Sequence, residues 1–242
     1  VNPELRLDRF LANMGCGTRS EVKHLVKSGK VTVNGKILRD PGVQIVPEQD
    51  QIICDGQAVE YRKYIYLMLN KPAGVISATE DVKERTVLDL LDPKYYNKGI
   101  FPVGRLDKDT EGLLLLTNDG PLGHRLLSPK KKVFKTYYAR IQGWVTAEDQ
   151  EAFRDGILLD DGYRTLPGDL TILAEGPVSE VEVMICEGKF HQVKRMFLAL
   201  GKQVVYLKRV AMGELVLDPR LQLGEYRELE PDEIQRLTRI EE

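Results

Sequence analysis

Leu7, Phe10, Leu11 and Met14 recur at the three- and four-residue spacing of a helix with one buried stripe, broken after them by Gly15-Cys16-Gly17. A second helix is expected from Thr18, because Glu21 completes a capping box and Val22, Leu25 and Val26 continue the apolar stripe. Lys30-Val31-Thr32-Val33, Asn34-Gly35 and Lys36-Ile37-Leu38 then read as strand, turn and strand, since Asn-Gly accepts the positive φ angles of a tight hairpin. These elements predict a compact αα-β unit over residues 1–58, with 59–63 as a linker. Beyond it, strand-like runs at 65–69, 112–117 and 181–185 alternate irregularly with helical stretches. One helix is capped by Thr146 with Asp149 and runs through Phe153; another carries Val193, Met196, Phe197 and Leu200 and stops at Gly201. The expected class is α+β: a small αα-β domain, then a mixed, mostly antiparallel sheet domain over 64–242.

A chain of 242 residues, 42% hydrophobic and 30% charged, has room for two folded domains and does not read as disordered. No run approaches the roughly 18–20 apolar residues of a membrane span, and the first residues lack a signal-peptide core. The cytoplasm is the expected compartment and a monomer the expected state; Val1 in place of methionine leaves the true start open. Cys16, Cys54 and Cys186 lie far apart without a CxxC, so they read as reduced structural cysteines, and no metal site is expected.

Charge is segregated along the chain. Between Arg6 and Arg39 the cations are Arg6, Arg9, Arg19, Lys23, Lys27, Lys30, Lys36 and Arg39, against only Asp8 and Glu21. Further basic stretches hold Lys130, Lys131, Lys132, Lys135 and Arg140, then Lys189, Lys194, Arg195, Lys202, Lys208 and Arg209. The net charge of −2 alone argues against a polyanionic partner, but the clustering argues for one.

The densest polar cluster is Gly104-Arg105-Leu106-Asp107-Lys108-Asp109-Thr110-Glu111-Gly112, set between a strand signal and four consecutive leucines. A calcium loop is one reading, with Asp107, Asp109, Glu111 and Gly112 at its first, third, fifth and sixth places; Asn118 at the twelfth place and strand-like flanks oppose it. A structural turn pairing Arg105 with an acid is another.

The loop signature, with Leu115 and Thr117 beyond it, resembles that of the RsuA-like bacterial ribosomal RNA pseudouridine synthases. The resemblance extends to Lys71-Pro72-Ala73-Gly74, Lys135-Thr136-Tyr137 and Glu187-Gly188-Lys189-Phe190-His191-Gln192-Val193-Lys194-Arg195-Met196. The αα-β unit resembles an S4 RNA-binding domain through Arg6-Leu7-Asp8-Arg9-Phe10-Leu11, the helix holding Ser20, and Gly29–Gly35. The resemblance implies that Asp107 is the nucleophile, Lys194 its matching cation and Tyr137 the ring that stacks on the target base. It also implies that Arg105 helps displace that base. Lys71, His191 and Arg195 are further candidates for substrate contact, and Arg6, Arg9, Arg19, Lys23, Lys27 and Lys30 for RNA contact.

The implied reaction breaks the uridine N1–C1′ bond, turns the base and joins C5 to C1′. A carboxylate that attacks covalently and leaves again needs no cofactor. Tyr137 and its neighbour Tyr138 must face opposite sides of their strand, so only one can meet the base. Phe190-His191 looks closer to the small-subunit branch, so the expected partner is small-subunit ribosomal RNA in an assembly intermediate. The rival readings are a large-subunit synthase, a non-catalytic RNA-binding or ribosome-assembly factor, and a metal-dependent phosphoesterase using Asp107 and Asp109.

Overall fold

The computed structural model describes residues 4–96 and 98–239. Its backbone packing divides the chain into two compact units, Val1–Tyr64 and Ile65–Glu242.

In the first unit, β1 (Leu5–Arg6) leads into α1 (Leu7–Asn13), followed by α2 (Arg19–Lys27). The Thr18 hydroxyl accepts from the Glu21 N–H, and the Glu21 carboxylate accepts from the Thr18 N–H at 2.7 Å, the reciprocal cap that the sequence predicts. Strands β2 (Val31–Val33) and β3 (Lys36–Ile37) meet at Asn34 (φ 52°) and Gly35 (φ 78°). Beyond β4 (Gln44–Ile45), which pairs with β1, a second hairpin joins β5 (Ile52–Cys54) to β6 (Gln57–Ala58) at Asp55-Gly56, giving the sheet order β3-β2-β5-β6. Leu7, Phe10, Leu11, Val22, Val26 and Val31 form its core. The 59–63 segment, expected as a linker, belongs to this unit: Val59 and Tyr61 pack on the core, with the Tyr61 ring 6.0 Å from that of Phe10.

The second unit is built on a nine-stranded sheet. Its elements are β7 (Tyr66–Lys71), β8 (Phe101–Pro102), β9 (Glu111–Thr117), α3 (Gly120–Leu127), β10 (Lys135–Gln142), α4 (Ala147–Asp155), β11 (Asp169–Ala174) and β12 (Val178–Ile185). Then come α5 (Gln192–Ala199), β13 (Gln203–Met212), β14 (Leu215–Val216), β15 (Tyr226–Glu228) and α6 (Pro231–Thr238). The main path runs β11-β12-β10-β13-β9-β7-β15, antiparallel except where β9 and β13 run parallel. The α+β expectation therefore holds.

Leu113-Leu114-Leu115-Leu116 is apolar on both faces because both faces are covered. Leu114 and Leu116 join Leu67, Leu69, Ala139, Val183, Phe153 and Phe197 on the face of α4 and α5. Leu113 and Leu115 join Met68, Leu122, Leu126 and Leu237 on the face of α3 and α6. A strand buried twice loses the alternation of a half-exposed one. No helix among the described residues is long and apolar enough to cross a membrane.

The parallel contact requires a glycine. Gly112 lies opposite Arg209 with φ 100°, and a Cβ there would sit 2.2 Å from the Arg209 carbonyl oxygen. Gly112→Ala should therefore cost about 3 kcal/mol of unfolding free energy, from backbone collision added to left-handed strain. Gly74→Ala, at φ 85° but with open space around it, should cost only about 1 kcal/mol. Urea unfolding of both variants checks the difference.

Candidate active site

The charged loop closes on a buried lysine. Lys71, the last residue of β7, is wholly buried. Its Nζ donates to the carbonyls of Thr110 (2.9 Å), Asp107 (3.1 Å), Pro72 (3.1 Å) and Lys108 (3.3 Å). Burial pushes this amine down to about 8, against the pull of Asp109, Asp107 and Glu111. Two more contacts hold the loop from the same side. The Ser77 hydroxyl accepts from the Leu106 N–H and faces its carbonyl, both at 3.0 Å, and the Gly74 N–H donates to the Lys108 carbonyl at 2.8 Å. Lys71, expected at the substrate, lies beneath the loop with its Nζ bonded to the loop's carbonyls.

Within this frame Asp107 faces a pocket shared with Arg105, Tyr137 and His191, with Leu106, Ile185, Val193 and Leu207 as the apolar part of the lining. Lys194, from α5, places its Nζ 3.1 Å from Asp107 Oδ2 and 2.6 Å from Asp109 Oδ1. Burial opposes the charge on Lys194, but its bonds to Asp109 and Asp107 outweigh burial and raise the amine above its usual range. The same bond to Lys194 lowers the Asp109 carboxyl, with burial opposing. An ammonium lies where the calcium reading would put a metal ion. Among the described residues no group of three or more His, Cys, Asp or Glu could hold a metal.

Strand alternation resolves the tyrosine pair. Tyr137 is buried and lines the pocket, whereas Tyr138 meets Tyr206 edge-on at 6.0 Å and packs elsewhere. His191 has its Nε2 3.7 Å from Asp107 Oδ1, and its backbone is left-handed at φ 49°. Arg105 is exposed at the pocket and makes no side-chain hydrogen bond or ion pair among the described residues. Arg195, two-pronged, holds Asp160 and Asp161, the latter at 2.7 Å, and those bonds raise its guanidinium further. Arg195, expected at the substrate, thus anchors the Asp160-Asp161 loop.

Several residues of the site escape a reading of the sequence. Glu187, buried, accepts from Tyr163 Oη (2.7 Å), the Leu166 N–H (2.8 Å) and Gln192 Nε2 (2.8 Å). Gln192 Oε1 in turn accepts from the Lys189 N–H at 2.8 Å. This network fixes the turn that presents His191 and Lys194. Both residues stand inside the 187–196 motif, but sequence cannot show a carboxylate turned inward. Thr110 also lines the pocket, and its buried hydroxyl has no partner among the described residues.

The cations of the first unit divide in the same way. Arg6 bonds the buried Asp8 through Nε (3.1 Å) and Nη2 (2.9 Å), and Lys30 pairs with Asp55 at 3.0 Å, so neither is a free cation. Arg9, Arg19, Lys23 and Lys27 are exposed, without an ion pair among the described residues. Lys135 and Arg209, counted in the later basic stretches, are buried; burial, then Arg209, pushes the Lys135 amine down.

Replacing Lys71 with Met should leave loop carbonyls unsatisfied. K71M is expected to lower stability by about 3 kcal/mol and turnover by at least a hundredfold. Denaturant unfolding and product formation measured on the same preparation check this.

Residues 65–199 match the RNA pseudouridylate synthase family, and residues 5–52 match the S4 domain. An uncharacterized RNA pseudouridine synthase of Bacillus subtilis (strain 168) is 49% identical over 97% of this chain and 98% of its own length. The ribosomal small subunit pseudouridine synthase A of Vibrio cholerae is 41% identical over 95% of this chain and 98% of its own. The ribosomal large subunit pseudouridine synthase B of Bacillus subtilis is 40% identical over 97% and 96%. The crystal structure of a pseudouridylate synthase superposes with a TM-score of 0.67 at 39% identity, covering 96% of this chain and 99% of that one. With the pocket, the charged loop and the small leading domain all accounted for, this chain belongs to the RNA pseudouridine synthases of the RsuA type, S4 domain included.

Proposed function

We propose that the chain isomerises one uridine of ribosomal RNA, in the small subunit, with Asp107 as nucleophile. The observation that carries the reading is the Asp107 carboxylate held 3.1 Å from the Lys194 ammonium in a pocket that also holds Tyr137. Attack by the carboxylate frees the base from N1–C1′; the base turns, C5 joins C1′, the C5 hydrogen leaves as a proton and N1 gains one. Lys194, 3.1 Å away, stabilises the Asp107 carboxylate electrostatically and does so again when it departs as the leaving group. Tyr137 stacks on the uracil, and its hydroxyl relays the proton.

Arg105, exposed and unpaired, fills the space left when the uridine is extruded, a step that costs a few kcal/mol. Arg9, Arg19, Lys23 and Lys27 supply phosphate contacts from the S4 domain. Relatives named for the small and large subunits stand at 41% and 40% identity, which favours neither. Phe190-His191 supports the small subunit.

The test uses unmodified small- and large-subunit ribosomal RNA, bare or bound to early assembly proteins, in EDTA with site-resolved pseudouridine detection. One new site in small-subunit RNA, absent with Asp107→Asn, is the expected result; a site in large-subunit RNA alone would overturn the subunit assignment. Lys194→Met should lower kcat by about a hundredfold or more, and Tyr137→Phe by less, because stacking survives the loss of the hydroxyl.

Replacing Arg9, Arg19, Lys23 and Lys27 with Ala should weaken RNA binding and flatten its salt dependence. The log–log slope should fall by roughly 0.7–0.9 for each phosphate that is no longer neutralised. Filter binding across a salt series measures it; an unchanged slope would remove these residues from the interface.

A further inference from the structure

Phe190 is 75% exposed although it is a large apolar ring beside the reaction pocket. It stacks on His191 with ring centroids 3.7 Å apart and planes 18° apart. His191 lines that pocket, 3.7 Å from Asp107. The stack therefore continues the pocket's lining out to its rim, with one side of the Phe190 ring on the imidazole and the other open.

The turn that carries the stack is held from both sides. The left-handed backbone of His191 is strained for a residue with a side chain, and such strain persists only where neighbours hold it. Here the Glu187–Gln192–Lys189 bonds hold one side, and Arg195, anchored on Asp160 and Asp161, donates to the Phe190 carbonyl at 3.4 Å on the other. A ring carried on a held turn and stacked on one face loses less freedom when it binds through the other. In an enzyme that takes one base out of an RNA strand, the groups next to arrive at the rim are the bases on either side of it. Every nucleobase has a π-face, so a ring of this kind grips a neighbour without reading its identity.

We propose that Phe190, backed by His191, is the stacking platform for the nucleobase next to the target uridine. This deepens the RNA reading above and rests on it, but it does not depend on which subunit supplies the RNA. The pairing of the two aromatic residues has a purpose in this arrangement: His191 both supports the platform and lies 3.7 Å from Asp107, so the flanking base is seated directly beside the reacting uridine.

The experiment uses the full chain and stem–loop RNAs with the target uridine in the loop and 2-aminopurine immediately 5′ or 3′ of it. Wild-type protein should quench the fluorophore at one of the two positions. Phe190→Ala should abolish that quenching and weaken binding about tenfold, and Phe190→Tyr should restore both. Bound RNA with no quenching at either position, or Phe190→Ala quenching as wild type does, would overturn the platform. Quenching without pseudouridine formation would leave the platform standing and count against the substrate reading, so the two fail separately.

Discussion

A single buried ammonium organises the catalytic half of the molecule. Lys71 is wholly enclosed at the end of a strand whose other residues are mostly apolar, and a charge in such a place is tolerated only when hydrogen bonds replace its water. Four carbonyls do so, three of them from the loop that carries Asp107. Carbonyls that converge on one nitrogen leave the backbone between them little freedom. The loop can therefore be short, charged and irregular while still presenting its carboxylate in a fixed place. Ser77 and Gly74 act in the same sense from the next few residues of the chain.

The partner of that carboxylate is positioned by independent means. Lys194 rides on α5, and the turn before α5 is held by the buried carboxylate of Glu187 and by the grip of Arg195 on Asp160 and Asp161. Two anchored segments meet at one 3.1 Å contact. Asp109, on the rim, shares the same ammonium at 2.6 Å. The lysine is thereby tethered before substrate arrives, and its charge is kept despite partial burial.

Much of this was legible in the sequence because it depended on local chemistry. The capping box at Thr18, the Asn34-Gly35 hairpin and the helix from Gln192 follow from side chains within a few residues of one another. So does the opposition of Tyr137 and Tyr138, since alternation along a strand is a property of the backbone alone. The second hairpin at Asp55-Gly56 carries the same turn signal as the first, although the short strands around it offer a weaker apolar pattern. What sequence could not supply was depth. Lys71, Lys135 and Arg209 are ordinary cations in the sequence but lie inside the fold, and nothing local marks them. The parallel pairing of β9 with β13 is non-local as well, setting Gly112 opposite Arg209.

Depth also decides what a basic stretch means. Counting lysines and arginines suggests three surfaces for a polyanion, yet Arg195 holds a loop, Lys135 and Arg209 are buried, and Lys202 is paired with Asp149 at 2.8 Å. An internal pair presents little net field outside, so Arg195 and Lys202 add fold without adding indiscriminate attraction to phosphate. The cations left exposed and unpaired include Arg105, two residues ahead of Asp107. Its neighbour Leu106 is pinned on both backbone atoms by Ser77, so the Arg105 backbone is anchored while its guanidinium is left exposed and unpaired. In the proposed function, a long unpaired cation on an anchored backbone follows the extruding nucleotide without disturbing the carboxylate beside it. On that proposal, one loop both deforms the RNA and holds the proposed nucleophile Asp107 in place.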